Sequence, residues 1–127
     1  MIFILMETLS DEKKEKLIKF VKFVKNQLEL KSTPMISIQN GKGKLKTTAN
    51  YDYTKENKII KVNAKNRALV DVMRSIAHEM VHHKQYEQGR LKVKPPDIGG
   101  EIEDEANAKA GQYIKMFAKM DQTIYDE

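Results

Sequence analysis

The chain contains no cysteine. Disulfides are therefore excluded, and any zinc site must use histidine, aspartate or glutamate side chains. Arginine is also scarce: Arg67, Arg74 and Arg90 are the only three, and no basic run is interleaved with aromatic residues. The formal net charge of +5 is carried almost wholly by lysine, which favours a solvated lysine-rich surface over a nucleic-acid interface.

The apolar N-terminal stretch Met1–Met6 is far too short to span a bilayer. It also lacks the basic region and the small-residue cleavage site of a signal peptide. We therefore expect neither a membrane partner nor export by the general secretory route. The absence of cysteine favours a cytoplasmic location. Residues 1–9 are predicted to form a short strand or an arm that packs on the core.

The length of 127 residues, with 40% hydrophobic and 32% charged residues, predicts a single domain over 1–127. The hydrophobic periodicity predicts an α+β fold with a small, mostly antiparallel sheet of three or four strands. The predicted elements are a helix over Ser10–Leu30, strands at Met35–Ile38, Thr47–Tyr53 and Ile59–Val62, a helix from 65–68 to Gln88, a helix from Gly100 or Glu101 to Met120, and a frayed tail over 121–127. The strands that contain Tyr53 and Ile59 are predicted to form a hairpin.

Capping residues mark the predicted helix ends. Thr8 and Ser10 are both candidate N-caps for the first helix. Asn63 and Asn66 are candidate N-caps for the second helix, and Gly89 is its expected stop.

The second helix contains the pattern H-E-x-x-H as His78-Glu79-Met80-Val81-His82. Residues i and i+4 lie one above the other on a helix face, so the two imidazoles can bind one zinc ion. Glu79 can then act as general base towards a zinc-activated water. The chain has only three histidines, so this spacing is not readily explained as a chance arrangement of surface residues.

A catalytic zinc site normally needs a third protein ligand. His83 points about 100° away from His82 around the helix, so the ligand is expected to be a carboxylate from elsewhere. On the third helix, Ala106 and Ala110 share the face of Glu103. Their small side chains allow close approach to the second helix, which carries His78 and His82, and this favours Glu103 as the third ligand. Glu105 is the main alternative. Asn107, one turn after Glu103, is predicted to hydrogen-bond a ligand.

The pattern His78-Glu79-x-x-His82 followed by Glu103-x-x-Ala106-Asn107-x-x-Ala110 resembles the gluzincin zinc metallopeptidases. The short length is similar to that of minimal gluzincins, ImmA/IrrE-type peptidases and small metallopeptidase-like proteins of phages. The resemblance implies a zincin-like domain in which the H-E-x-x-H helix and a following glutamate-bearing helix hold Zn²⁺. One departure is Asn107, which stands where many gluzincins have aspartate.

The resemblance predicts hydrolysis of a peptide bond in a protein or peptide substrate, with His78, His82 and Glu103 at the metal and Glu79 as base. Tyr86 and Tyr113 are candidates for stabilising the transition state, followed by His83 and Arg90. The hairpin edge at residues 48–53 is expected to pair with an extended substrate, as zincin edge strands do.

The alternative function is a cytoplasmic or virion-associated component of a larger assembly with a structural or latent zinc site. A DNA-associated accessory protein, motivated by the +5 charge, is the third hypothesis.

Overall fold

A computed structural model describes the chain at residues 4–6, 9–39, 49–53, 58–91 and 100–125. These residues form a small α+β domain with one mixed sheet. In chain order the elements are β1 (Ile4–Met6), α1 (Asp11–Leu28), β2 (Met35–Gln39), β3 (Ala49–Asp52), β4 (Ile59–Asn63), α2 (Leu69–Glu87), α3 (Glu101–Met120) and a short 3-10 helix (Gln122–Tyr125). The strand expected in the N-terminal arm is present as β1.

The described strands lie in the order β1-β2-β4-β3. The predicted hairpin of β3 and β4 is confirmed as an antiparallel pair, and residues 47 and 48 of its first predicted strand lie outside the described residues. The prediction of a mostly antiparallel sheet is wrong, because β2 pairs in parallel with both β1 and β4. Helix α1 connects β1 to β2, and such a crossover allows parallel neighbours. β4 then inserts between β2 and β3, which leaves β3 at the outer edge.

Helix α1 packs its apolar face into the core. Its N-cap is Ser10, whose hydroxyl accepts a hydrogen bond from the backbone N–H of Lys13 at 3.3 Å. The residues predicted for the apolar face are all buried: Leu17, Phe20, Val21, Val24 and Leu28. The helix ends two residues before the predicted Leu30, since Glu29 adopts a left-handed conformation with φ 51°. Thr8, the other candidate cap, lies outside the described residues.

Helix α2 contacts both other helices and the strands β3 and β4, so it is enclosed on several sides. Its predicted caps are wrong: the N-cap is Ala68, which makes no side-chain capping bond. The side chain of Asn63 instead accepts a hydrogen bond from the backbone N–H of Lys65, and Asn66 adopts a left-handed φ of 57°. The turn before the helix thus uses both asparagines. Gly89 follows the helix with φ 74°, as its predicted role as a stop requires.

Helix α3 packs along α2. Ala106 and Ala110 are both buried, as expected for small residues at a close contact between helices. The chain after α3 differs from the predicted frayed tail. Residues Gln122–Tyr125 form a 3-10 helix, and Ile124 is 1% exposed. Burial of the Ile124 side chain holds this turn against the core, while residues 126 and 127 lie outside the description.

No α-helix in the described segments combines the length and the apolar character needed to cross a lipid bilayer.

Candidate metal centre

The two imidazoles of the H-E-x-x-H pattern meet on one face of α2. Helical spacing places His82 one turn after His78, and their Nε2 atoms lie 3.2 Å apart. His82 is 5% exposed, and the side chain of His78 is 21% exposed. One edge of the pair therefore faces the interior and the other reaches solvent.

Helix α3 brings the carboxylate of Glu103 to the same point. One of its oxygens lies 2.9 Å from Nε2 of His82, and the other lies 3.2 Å from Nε2 of His78. The structure therefore groups the three side chains that the sequence predicts as metal ligands. The buried alanines at 106 and 110 permit this approach, because a larger residue there would hold α3 away from α2.

The spacing of these donor atoms suits a zinc ion. Tetrahedral zinc with nitrogen and oxygen ligands at about 2.0–2.1 Å implies ligand atoms about 3.3 Å apart. The three separations among His78, His82 and Glu103 are 3.2, 3.2 and 2.9 Å. The described part of the chain also groups ligand atoms of His78, Glu79 and His82 within 4.8 Å of one another. This His-Glu-His cluster is able to hold a metal ion.

Hydrogen bonds outside the cluster orient His82. Nδ1 of His82 lies 2.7 Å from Oε1 of Gln85. The amide nitrogen of Gln85 donates to the backbone carbonyl of Ile102 and to Glu105, so its oxygen must face His82. Nδ1 therefore carries a hydrogen, so metal binding at His82 would use the lone pair of Nε2, the ring atom that faces Glu103. A lone pair and a carboxylate at 2.9 Å repel each other unless a cation or a proton lies between them.

Glu105, the alternative third ligand, lies in this supporting network rather than beside the two imidazoles. Its carboxylate accepts from Gln85 at 2.9 Å and forms an ion pair with Arg90 at 2.8 Å. Burial alone would raise the pKa of Glu105, but these two hydrogen bonds outweigh it and the pKa lies below its ordinary value. Glu105 therefore links α3 to the residue that orients His82.

Glu79 is the buried acid of the cluster, with 7% of its surface exposed. Its Oε2 atom has no hydrogen-bond partner among the described residues. Burial, with a smaller contribution from the charge of Glu103, raises the pKa of Glu79 to about 8. A buried carboxyl with an unused oxygen is costly for stability alone, and it is the state expected of a group that exchanges a proton with a ligand.

A pocket of about 270 Å³ opens beside the cluster, and its described lining comprises Ala49 of β3, four residues of α2 and Asn107 of α3. The α2 residues are Arg74, Ser75, His78 and Glu79. Asn107 also hydrogen-bonds the side chain of His78. Burial and the neighbouring His82 lower the pKa of His78 despite this bond and the nearby Glu103. His78 is thus held neutral, the form that binds metals.

His83 lies outside the cluster, as its angular position on α2 predicts. It is 1% exposed, its Nδ1 lies 2.5 Å from the hydroxyl of Tyr51, and its Nε2 lies 3.1 Å from Oγ of Ser32. Burial lowers the pKa of His83. The ring therefore joins α2 to β3 and to the segment after α1, and it is not directed into the pocket.

The candidate transition-state stabilisers are not brought to the pocket. Tyr113 packs edge-on against Phe23 at 6.4 Å, on the α1 side of α3. Tyr86 lies 5.4 Å from the ring of Tyr53 and is 36% exposed. Arg90 is paired with Glu105. None of these side chains is among the described residues that line the pocket.

Two residues of the site have roles that sequence reasoning misses. Gln85 follows His82 by three positions, a spacing at which helical side chains meet, but nothing in the sequence shows that its amide is fixed by α3. Arg74 precedes His78 by four positions, so it continues the stripe that His78 and His82 form. That spacing is the signal that could have placed Arg74 at the pocket.

Comparison with models of known protein families, with curated proteins and with solved structures finds no match to this chain.

Proposed function

We propose that this chain is a zinc-dependent metallopeptidase of the gluzincin type, with a zincin-like fold. The observation that carries the proposal is the convergence of His78, His82 and Glu103 at the spacing of zinc ligands, beside the buried carboxyl of Glu79. A surface histidine pair would have neither the third donor nor the unpartnered buried acid.

The site residues would divide the chemistry as follows. His78, His82 and Glu103 would hold Zn²⁺, which when bound polarises water and a substrate carbonyl. Glu79 accepts the proton of the attacking water and passes it to the nitrogen of the leaving group. Burial raises the pKa of Glu79 to about 8, and a cation beside it would favour the ionised form that can accept a proton. Gln85 keeps the Nε2 lone pair of His82 available throughout.

The substrate would lie along β3, which is one of the two edge strands of the described sheet. Ala49 of β3 lines the pocket, and the small side chain leaves room for an extended peptide beside Glu79. Backbone hydrogen bonds to an edge strand bind a peptide without fixing its sequence. A protein or peptide is therefore the substrate class that fits this side of the pocket.

The test compares wild type with Glu79→Gln. Both proteins are loaded with zinc, their metal content is measured, and cleavage of an internally quenched peptide library is followed. Glu79→Gln should keep zinc but cut about 10²–10⁴-fold more slowly, the usual contribution of a general base. Glu12→Gln, at an exposed position of α1, is the matched control and should cut like wild type. Equal rates of cleavage by Glu79→Gln and wild type would show that Glu79 is not the general base.

A structural or latent zinc site in a virion or other assembly is the second candidate. The observation in its favour is that Glu79 also offers a ligand atom within 4.8 Å of the two histidines. Coordination by Glu79 would close the site with four protein ligands, as in structural zinc centres. In that case Glu79→Gln would lose zinc affinity, and the zinc-loaded wild type would cut no member of the peptide library.

A further inference from the structure

Arg74 is the one arginine that the described contacts leave unengaged. Arg67 donates to the backbone carbonyls of Asn63 and Asp71 and to Oγ of Ser75, and Arg90 pairs with Glu105. Arg74 is exposed and makes no ion pair with any residue in the described segments. A guanidinium in this state has its five N–H donors available to a ligand.

Arg74 stands at the pocket of the metal centre. It lines the pocket together with Ser75, His78 and Glu79. The spacing of four residues places it about one helical turn, roughly 6 Å along the axis, before His78 on the same face. An extended peptide advances about 3.3 Å per residue, so Arg74 can reach a group within about two residues of a bond held at His78 and Glu79.

The surroundings of Arg74 add further hydrogen-bond donors. The oxygen of Ser75 already accepts a hydrogen bond from Arg67 at 2.7 Å, so the Ser75 hydroxyl hydrogen remains to be donated. Asn107 adds an amide to the same lining, and Glu79 is the only acidic residue among the described lining residues. Guanidinium and hydroxyl donors in one place suit a carboxylate, which accepts two parallel hydrogen bonds from arginine.

We propose that Arg74 and Ser75 form a carboxylate subsite, so that the enzyme prefers peptides with a carboxylate within about two residues of the scissile bond. The carboxylate is either an aspartate or glutamate side chain or a free C-terminus. This inference rests on the proposed peptidase function, and it names the substrate class of that site.

The test measures peptide binding by the zinc-loaded Glu79→Gln chain, which does not consume its ligand. The probes are fluorescein-labelled hexapeptides that differ only in Glu against Gln at each position, each with a free or an amidated C-terminus. We expect at least one acidic peptide to bind about ten-fold tighter than its amide partner, the effect of one charge-assisted hydrogen bond. An effect of the Glu position identifies a side-chain carboxylate, and an effect of amidation identifies the C-terminus.

The role of Arg74 is tested in the same background with Arg74→Gln, which should abolish the preference for acid over amide. Arg74→Lys should restore part of it, because lysine keeps the charge but not the planar fork. Lys115→Gln, which removes an exposed charge from α3, is the matched control and should keep the full preference. Arg74 lies on an exposed helix surface, so these substitutions should change stability by no more than about 0.5 kcal/mol.

Three outcomes overturn the inference. Acidic and amide peptides could bind equally, or Arg74→Gln could weaken both equally, which would mean that Arg74 contacts the peptide backbone. Both leave the peptidase proposal intact if zinc-loaded wild type cuts the library. Binding of no peptide by Glu79→Gln also overturns the subsite, and the absence of all cleavage by wild type overturns the peptidase proposal itself.

Discussion

Oε1 of Gln85 lies 2.7 Å from Nδ1 of His82, and the amide nitrogen of the same side chain donates to Glu105 at 2.9 Å. One amide thus joins a candidate metal ligand on α2 to a carboxylate on α3. Since Glu105 is itself held by Arg90, the orientation of the His82 ring is set by a chain of bonds that lies outside the metal cluster. Such partners fix the tautomer and direction of ligating histidines.

Gln85→Ala is expected to weaken zinc binding by about 10–100-fold, because His82 loses the acceptor that keeps hydrogen on Nδ1. The measurement is a competitive titration with a chromogenic zinc chelator. Gln112→Ala, an exposed glutamine on α3, should bind zinc like wild type. Unchanged affinity in Gln85→Ala would show that metal binding does not depend on this orientation.

The two glutamates of α3 should respond differently to the same substitution. Glu103→Gln removes a charge that lies 2.9 and 3.2 Å from the imidazole nitrogens, so zinc binding should fall by about 100-fold or more. Glu105→Gln leaves the three donors in place and should cost about ten-fold, through Gln85. Chelator competition measures both. The reverse order of effects would make Glu105 the third ligand.

Zinc removal should lower the melting temperature of the wild-type chain. A ligand at 100 times its Kd stabilises the folded state by about 2.7 kcal/mol, which corresponds to about 5–15 °C for a domain of this size. Differential scanning calorimetry with zinc and with a chelator measures the shift. His78→Asn should show little or no zinc-dependent shift, because the cluster has lost one donor. A full shift in that variant would place the metal elsewhere.

The sequence predicts the parts of the site that depend on helical geometry. His78 and His82 follow from the i, i+4 spacing, and Glu103 follows from the two alanines that let α3 approach α2. Periodicity reports which face a residue occupies within its own helix. It therefore places residues on a face but does not show which atoms on different elements will bond.

The remaining features depend on contacts between distant segments. Tyr51 and His83 are 32 positions apart and meet only because β3 lies beside α2. The parallel pairing of β2 with β4 depends likewise on where the β3–β4 hairpin inserts, and the alternating patterns of Met35–Gln39 and Ile59–Asn63 suit either direction. The burial of Ile124 is likewise not predictable, because a single aliphatic residue in a mostly polar tail gives no periodic signal.

Glu87 provides a pH-dependent contribution to stability that lies away from the metal cluster. Its carboxylate oxygens accept hydrogen bonds from the backbone N–H groups of Lys31 and Ser32 at 3.0 and 2.9 Å, which joins the last turn of α2 to the segment after α1. Burial alone would raise the pKa of Glu87, but these bonds and the nearby His83 outweigh it and lower the pKa below its ordinary value of 4.5.

The folded state lowers the pKa of Glu87. The stabilisation that the ionised carboxylate gives to the fold is therefore fully present above the unfolded-state pKa of 4.5, and it is lost as the pH falls through the folded-state pKa. Glu87→Gln should therefore reduce the free energy of unfolding by about 1–2 kcal/mol at pH 7, and the difference from wild type should shrink steadily below pH 4.5. Urea unfolding from pH 7 to pH 3, with a chelator in every sample, measures this difference. Glu15→Gln, at an exposed position of α1, should match wild type at every pH. If the free energy of unfolding of Glu87→Gln stayed below that of wild type by the same amount down to pH 3, the charge of Glu87 would not stabilise the fold. The substitution would then act through packing alone.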